Sequence, residues 1–193
     1  MSRKASKTYC FIAILLHWTI AILIVGLLVL GYVMTRPEID PTRQFYLFQW
    51  HKSFGMLALV LALLRIAHWA LARRVLPVPG LGPVEAVASS FTHRILLLLT
   101  VAVPLAGWTV ASVSTLDIPT FMFNLFVVPH LPLTKSAVSE DFWSTVHATL
   151  AYGMLALVVL HGAAAIYHHL WRRDDVLLRM VGKRRRFSGE EPS

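Results

Sequence analysis

Four long apolar stretches constrain this 193-residue chain more than any other feature of its sequence. A membrane-spanning helix needs about 20 mostly apolar residues, because each residue rises about 1.5 Å and the hydrocarbon core is about 30 Å thick. The composition agrees, since 56% of the residues are apolar and only 15% are charged, whereas a soluble domain has about 25% charged residues. We therefore predict one all-α domain over residues 1–193, an integral membrane four-helix bundle with helices near residues 10–34, 45–72, 91–113 and 142–170.

The 18 Lys and Arg residues are distributed unevenly between the two ends of the predicted helices. Fourteen of them fall on the side that carries both termini and the connector between helices 2 and 3. Cytoplasmic segments of membrane proteins are enriched in Lys and Arg, so this bias places both termini in the cytoplasm. The net charge of +8 then mainly orients the helices, and we interpret the basic tail, residues 171–193, as a membrane-surface anchor rather than a nucleic-acid site.

Nine histidines interrupt this apolar chain, and ionisable side chains at membrane depth are costly and usually functional. His147 and His161 lie 14 residues apart on helix 4, so both imidazoles point to nearly the same face, about 21 Å apart along the axis. His51 on helix 2 and His17 on helix 1 lie at matching depths. The spacing predicts an outer pair, His51/His147, and an inner pair, His17/His161.

Two imidazoles that face each other across an apolar bundle indicate the two axial ligands of a b-type haem. The two pairs therefore predict two b-type haems between the helices, with the four histidines as ligands of the haem iron. Zinc fits less well, because it prefers about four ligands and often takes Cys or carboxylate, which these apolar stretches do not supply. The single cysteine also excludes an internal disulfide.

Five further residues near the two pairs are candidates for binding the cofactor or a substrate. Arg65 follows the helix 2 histidine by 14 residues and could bind a haem propionate, and Lys52 could do so nearer its own end. Gly55 could give clearance for a flat macrocycle, although small residues also favour close helix packing in membranes. His93 lies at the depth of the inner pair and stays open between an axial ligand and a hydrogen-bond partner of a propionate or quinone. His168 could donate to a quinone carbonyl or relay a proton.

Short motifs that contain these residues occur in order over nearly the whole chain. They are Leu16-His17-Trp18, Trp50-His51-Lys52 followed by Gly55 and Arg65, His93 with Pro104-Leu105-Ala106-Gly107, His147-Ala148-Thr149-Leu150, His161-Gly162-Ala163-Ala164-Ala165 and His168-His169. This ordered set resembles the bacterial cytochrome b561 family, which includes the superoxide oxidase group and is related to the cytochrome b subunits of nickel hydrogenases. The resemblance implies a four-helix bundle in the bacterial inner membrane, with two b-type haems ligated by the same four histidines.

The resemblance also implies an oxidoreductase or electron carrier that passes single electrons between a periplasmic donor and the quinone pool. Superoxide is the leading candidate donor, and the expected partners are membrane lipid, ubiquinone or another quinone, and superoxide or a redox protein. One alternative is a cytochrome b subunit that carries electrons from a dehydrogenase or hydrogenase, and an oligomer is compatible with either role. A histidine-based metal or proton transporter is the alternative from a different class, but the apolar stretches lack the carboxylates that such relays usually carry.

Overall fold

The computed structural model describes residues 9–71 and 82–182. Within these residues, four helices are long and apolar enough to cross a membrane. They are α1 (Phe11–Met34), α2 (Pro41–Leu71), α3 (Pro83–Val113) and α4 (Ala137–Tyr167). The predicted fold class, a membrane bundle of four helices, is therefore confirmed. Residues 73–81 of the predicted connector between α2 and α3, and residues 183–193 of the predicted basic tail, lie outside the described residues.

Three of the helices begin before their predicted starts, by four residues for α2, eight for α3 and five for α4. The start of α3 shows the physical reason. Pro83 occupies the first turn, where its fixed φ and its missing N–H are tolerated. Glu85 accepts a hydrogen bond from the Gly82 N–H over 3.0 Å and places a negative charge at the helix N-terminus, where it is favourable. Helices thus extend past the apolar spans that predicted them.

The connector between α3 and α4 contains a short antiparallel hairpin that the apolar pattern did not predict. Strand β1 (Thr120–Met122) pairs with β2 (Phe126–Val128). Phe123 and Asn124 form the turn with φ values of 49° and 59°. Asn adopts this left-handed region readily and Phe does so less often, so the turn needs support from the rest of the protein.

Side chains of α2 supply that support by binding the backbone of the hairpin. Ser53 Oγ donates to the Phe121 carbonyl over 3.0 Å and accepts from the Phe123 N–H over 3.1 Å. Gln49 Nε2 donates to the Pro119 carbonyl over 3.1 Å, and its Oε1 accepts from the Phe121 N–H over 3.2 Å. Ser53 and Gln49 are both buried, so the hairpin is fixed to the end of α2 that carries the predicted outer pair. We call this the outer end of the bundle.

The chain folds back on itself at the opposite, inner end. A π-helical turn over His168–Arg172 continues α4, and Arg173 then adopts the left-handed region with φ of 53°. The short helix α5 (Val176–Arg179) follows. Trp18 Nε1 donates to the Met180 carbonyl over 2.8 Å, so the segment after α4 is attached to the inner end of α1.

The four long helices pack closely in chain order, α1 against α2, α2 against α3 and α3 against α4. A cluster of buried apolar side chains lies among all four of them. This mid-bundle cluster comprises Ile20, Ile24, Ala58, Leu99 and Met154. Met154 lies seven residues from both His147 and His161, so the cluster lies midway between the two predicted histidine levels. Large apolar side chains elsewhere on the helices are exposed, as lipid-facing residues are.

Candidate functional site

The structure brings the predicted outer pair together across the bundle. The ring centroids of His51 on α2 and His147 on α4 are 6.1 Å apart, and the ring planes meet at 88°. His147 Nδ1 donates to the Val103 carbonyl on α3 over 3.0 Å, which leaves Nε2 of that ring with a free lone pair. His51 Nδ1 is buried and has no hydrogen-bond partner among the described residues. The pair therefore offers imidazole nitrogens, which are good ligands for iron and other transition metals, inside an apolar bundle.

Two glycines on neighbouring helices lie against these rings. A Cβ added at Gly31 would lie 3.2 Å from His51 Cε1, and one added at Gly107 would lie 3.0 Å from His147 Cε1. Neither position accepts a side chain unless the ring or the helix moves. By contrast, a Cβ added at Gly55 would meet nothing within 4 Å. Spacing along α2 selected Gly55, whereas the glycines that contact the rings lie on α1 and α3, where spacing along one helix does not find them.

The inner level holds three imidazoles and a guanidinium. The ring centroids of His17 on α1 and His161 on α4 are 6.3 Å apart, and the ring planes meet at 76°. His93 on α3 lies closer to His161, at 5.2 Å between centroids. Arg65 Nη1 donates to His17 Nδ1 over 2.9 Å. The predicted inner pair is thus brought together, and His93 and Arg65 lie at the same site.

Lys52, a candidate partner of a haem propionate, contacts the connector between α3 and α4. Its Nζ donates to the Ile118 carbonyl over 3.3 Å and to the Pro119 carbonyl over 3.0 Å. The physical reason is that the connector crosses the outer end of α2, where its backbone carbonyls need hydrogen-bond donors. Lys52 therefore joins Gln49 and Ser53 in holding the connector beside His51. Helix spacing does not predict this contact, because the partners are 66 and 67 residues apart along the chain.

His168 has a partner that sequence reasoning missed. Its Nδ1 lies 2.6 Å from Asp174 Oδ2, and the two side chains are only 15% and 17% exposed. Six residues apart on a regular helix, the two side chains would point in different directions. The π-helical turn and the left-handed Arg173 reverse the chain and bring Asp174 back to the imidazole.

Neither level has the donor set of a metal site made by protein side chains alone. Among the residues that the structure describes, no group of three or more His, Cys, Asp or Glu side chains could hold a metal ion. Each level offers a facing pair of imidazoles, and the apolar mid-bundle cluster separates the two levels. Such an arrangement suits a cofactor that supplies its own equatorial ligands to the metal and needs only two from the protein.

Comparisons with known proteins show similarity over nearly the whole chain. A family model described as prokaryotic cytochrome b561 matches residues 8–183. The chain is 30% identical over 178 residues to "Cytochrome b561 homolog 2" of Escherichia coli (strain K12), which covers 92% of this chain and 93% of the relative. It is 26% identical to "Probable superoxide oxidase CybB" of Yersinia pestis, over 93% of this chain and 98% of the relative. It is 29% identical to "Cytochrome b562" of Cereibacter sphaeroides, over 91% and 96% of the two chains.

Proposed function

We propose a function from the premise that this chain belongs to the prokaryotic cytochrome b561 family, and is therefore a bacterial membrane electron-transfer cytochrome with b-type haem. We infer that it binds two haems and passes single electrons from a donor at the outer end to quinone at the inner end. The observation that carries this proposal is the presence of two facing pairs of histidine rings on opposite sides of the mid-bundle cluster. Membership of this family favours electron transfer over the metal or proton transporter alternative.

The residues present fit such a cofactor. Imidazole nitrogens bind metals at about 2 Å, so two rings that share one metal from opposite sides have centroids about 6 Å apart. The centroid separations of 6.1 and 6.3 Å agree with that value. At the outer level, Gly31 and Gly107 let α1 and α3 approach the two rings closely. Neither level needs a third protein ligand, because the macrocycle supplies the other four.

We assign His51 and His147 as the residues that would hold the outer haem, and His17 and His161 as those that would hold the inner haem. When bound, haem supplies an iron that gains and loses one electron, and two axial imidazoles favour electron transfer over substrate binding at the iron. The Val103 carbonyl orients His147 by accepting its Nδ1–H, as partners of ligating histidines commonly do.

Arg65 is the residue we assign to a propionate of the inner haem. A guanidinium can bind a carboxylate through two parallel hydrogen bonds, and Arg65 already lies at the inner pair. A histidine that binds iron through Nε2 carries its remaining proton on Nδ1, so it has no acceptor there for Arg65. With haem bound, Arg65 would therefore be available to bind a propionate. We assign His93 to the inner level as a hydrogen-bond partner of a propionate or quinone. Its alternative role is that of a ligand to the haem iron.

The proposed function also includes an orientation in the membrane, an electron donor and an electron acceptor. The excess of Lys and Arg on the side of both termini supports termini in the cytoplasm and an outer end in the periplasm. His168 at the inner end is the candidate donor to quinone. The name of the Yersinia pestis relative supports superoxide as the outer donor. An anion needs a positive field, yet Arg43 is paired with Asp40 and Lys135 with Asp117, so a redox-protein donor is the competing outcome.

The test is haem quantitation and optical spectroscopy of the protein purified in mild detergent. The unaltered chain should carry about two low-spin haems, His51→Ala should lose the outer haem alone, and His17→Ala the inner haem alone. His130→Ala is the matched control, because His130 lies in the connector beside Asp117 and should leave both haems in place. A colourless protein, or two haems retained in His51→Ala, would contradict the assignment.

The donor is tested separately on the purified di-haem protein. Superoxide generated in solution should reduce the haems of the isolated chain if superoxide is the donor. Haem reduction only in the presence of a co-purifying dehydrogenase or hydrogenase would support the subunit alternative instead. Reoxidation of the reduced haems by added quinone tests the acceptor.

A further inference from the structure

A buried His–Asp pair lies at the inner end, outside the four proposed haem ligands. The bond from His168 Nδ1 to Asp174 Oδ2 is 2.6 Å long, and both side chains are more than four-fifths buried. We propose that this pair delivers a proton to quinone, with His168 as the residue that touches quinone and Asp174 as the residue that positions and charge-balances its imidazole. This inference rests on the proposed function, because it assumes quinone reduction at the inner end.

The backbone around the pair holds the carboxylate in one orientation. Asp174 Oδ1 accepts a hydrogen bond from the Val176 N–H over 3.1 Å, while Oδ2 contacts His168. The Asp174 N–H donates to the His168 carbonyl over 3.2 Å, so the two residues are also joined through the main chain. A π-helical turn is rare and is frequently found at functional sites. This one covers His168–Arg172, between the end of α4 and Asp174.

The position along α4 suits a substrate that receives electrons from the inner haem. His168 follows His161 by seven residues, about 10 Å along the helix axis toward the inner end. Trp18 of α1 holds the segment after the pair through the Met180 carbonyl. Arg172 Nη1, in the same π-helical turn, donates to Glu85 Oε1 over 2.8 Å. Asp174 Oδ2 is the carboxylate oxygen that contacts the His168 imidazole.

The chemistry requires protons as well as electrons. Reduction of quinone to quinol takes two electrons, which arrive singly through the protein, and two protons, which come from cytoplasmic water. With Nδ1–H held by Asp174, an imidazolium gives its Nε2 proton to one quinone oxygen and becomes the neutral ring. Water then returns a proton to Nε2, and the second quinone oxygen takes its proton from water. The Asp174 carboxylate offsets the positive charge that the ring carries before it gives up this proton.

The experiment measures how fast reduced haem is reoxidised in the full-length di-haem protein by two different oxidants. A soluble quinone needs protons, whereas ferricyanide takes one electron and no proton. We expect Asp174→Asn to slow reoxidation at saturating quinone about 100-fold, the usual contribution of a positioned acid, with little change in the quinone concentration for half-maximal rate. Ferricyanide reoxidation and the haem spectra should stay unchanged. Asp174→Glu should recover part of the rate, and Asp141→Asn, at an exposed carboxylate near the outer end of α4, should behave like the unaltered chain.

Two results would overturn the inference while leaving the proposed function in place. One is an unaltered rate with quinone in both Asp174→Asn and His168→Gln. The other is equal slowing of quinone and ferricyanide reoxidation in Asp174→Asn, which would indicate a general structural defect. If the unaltered protein is reoxidised by ferricyanide but by no quinone, the proposed acceptor fails and this inference fails with it.

Discussion

Replacing Gly107 with alanine tests whether the outer histidine pair holds a cofactor. The new Cβ would lie 3.0 Å from His147 Cε1 and 3.2 Å from its Nδ1. Unstrained carbon contacts are about 3.5–4.0 Å, so the ring has to move by about 0.5 Å. The same movement lengthens the bond from His147 to the Val103 carbonyl, which is 3.0 Å now, to about 3.5 Å, where a hydrogen bond is largely lost.

The expected loss of haem affinity follows from that hydrogen bond and from the histidine that it orients. A lost hydrogen bond costs about 1 kcal/mol, and changes beside a metal ligand usually lower metal affinity about 10- to 100-fold. We expect Gly107→Ala to weaken haem binding at the outer level about 10-fold and to leave the inner level unchanged. The assay is the haem-to-protein ratio during haem titration, with the two haems resolved by their spectra.

Gly26→Ala is the matched control, because a Cβ at Gly26 would meet nothing within 4 Å. It supplies the same gain in helix propensity, about 1 kcal/mol, without a new contact on a ring. Full haem binding and an unchanged outer haem spectrum in Gly107→Ala would refute this account of the outer pair. A loss of equal size in Gly26→Ala would do the same, since the effect would then be one of helix substitution in general.

Three further outcomes are expected. Gly31→Ala should weaken outer haem binding less than the Gly107 change does, because its Cβ would lie 3.2 Å from His51 Cε1, and equal or larger losses would contradict the distances. Ser53→Ala should destabilise the hairpin by about 1–3 kcal/mol, since it removes two part-buried hydrogen bonds, and faster hydrogen exchange of hairpin amides would show it. Lys135 holds the pKa of Asp117 below its ordinary value of 3.8. Because that pKa is lowered, the pair should stay intact at neutral pH and separate only as the pH falls through the lowered value. Lys135→Ala should raise the Asp117 midpoint in an NMR titration, and an unmoved midpoint would count against the pair.

Spacing along one helix predicted much of the candidate site. The 14 residues between His147 and His161 place both rings on one face, and the structure finds a facing imidazole at each level. That rule works because helix periodicity is fixed by the backbone and is independent of the rest of the fold. It predicts which residues share a face, and apolar length predicts which helices cross the membrane.

Contacts that depend on chain reversal or on the rotation of neighbouring helices could not be predicted in the same way. Lys52 binds connector carbonyls that lie 66 and 67 residues away along the chain, and helix periodicity does not predict a contact over that distance. Asp174 reaches His168 only through a π-helical turn and a left-handed residue, neither of which has a distinctive sequence pattern here. Which glycines touch a histidine depends on how α1 and α3 are rotated, and composition does not specify that rotation.

The mid-bundle cluster also determines how membrane voltage acts on the protein. Its apolar side chains separate the two histidine levels by about 21 Å along α4, about two-thirds of a 30 Å hydrocarbon core. Moving one elementary charge across a whole membrane at 100 mV changes its energy by about 2.3 kcal/mol, so an electron that passes between the levels experiences about 1.5 kcal/mol. In the proposed orientation, which puts the outer end on the positive side, an energised membrane would oppose inward transfer and shift the electron about tenfold toward the outer level.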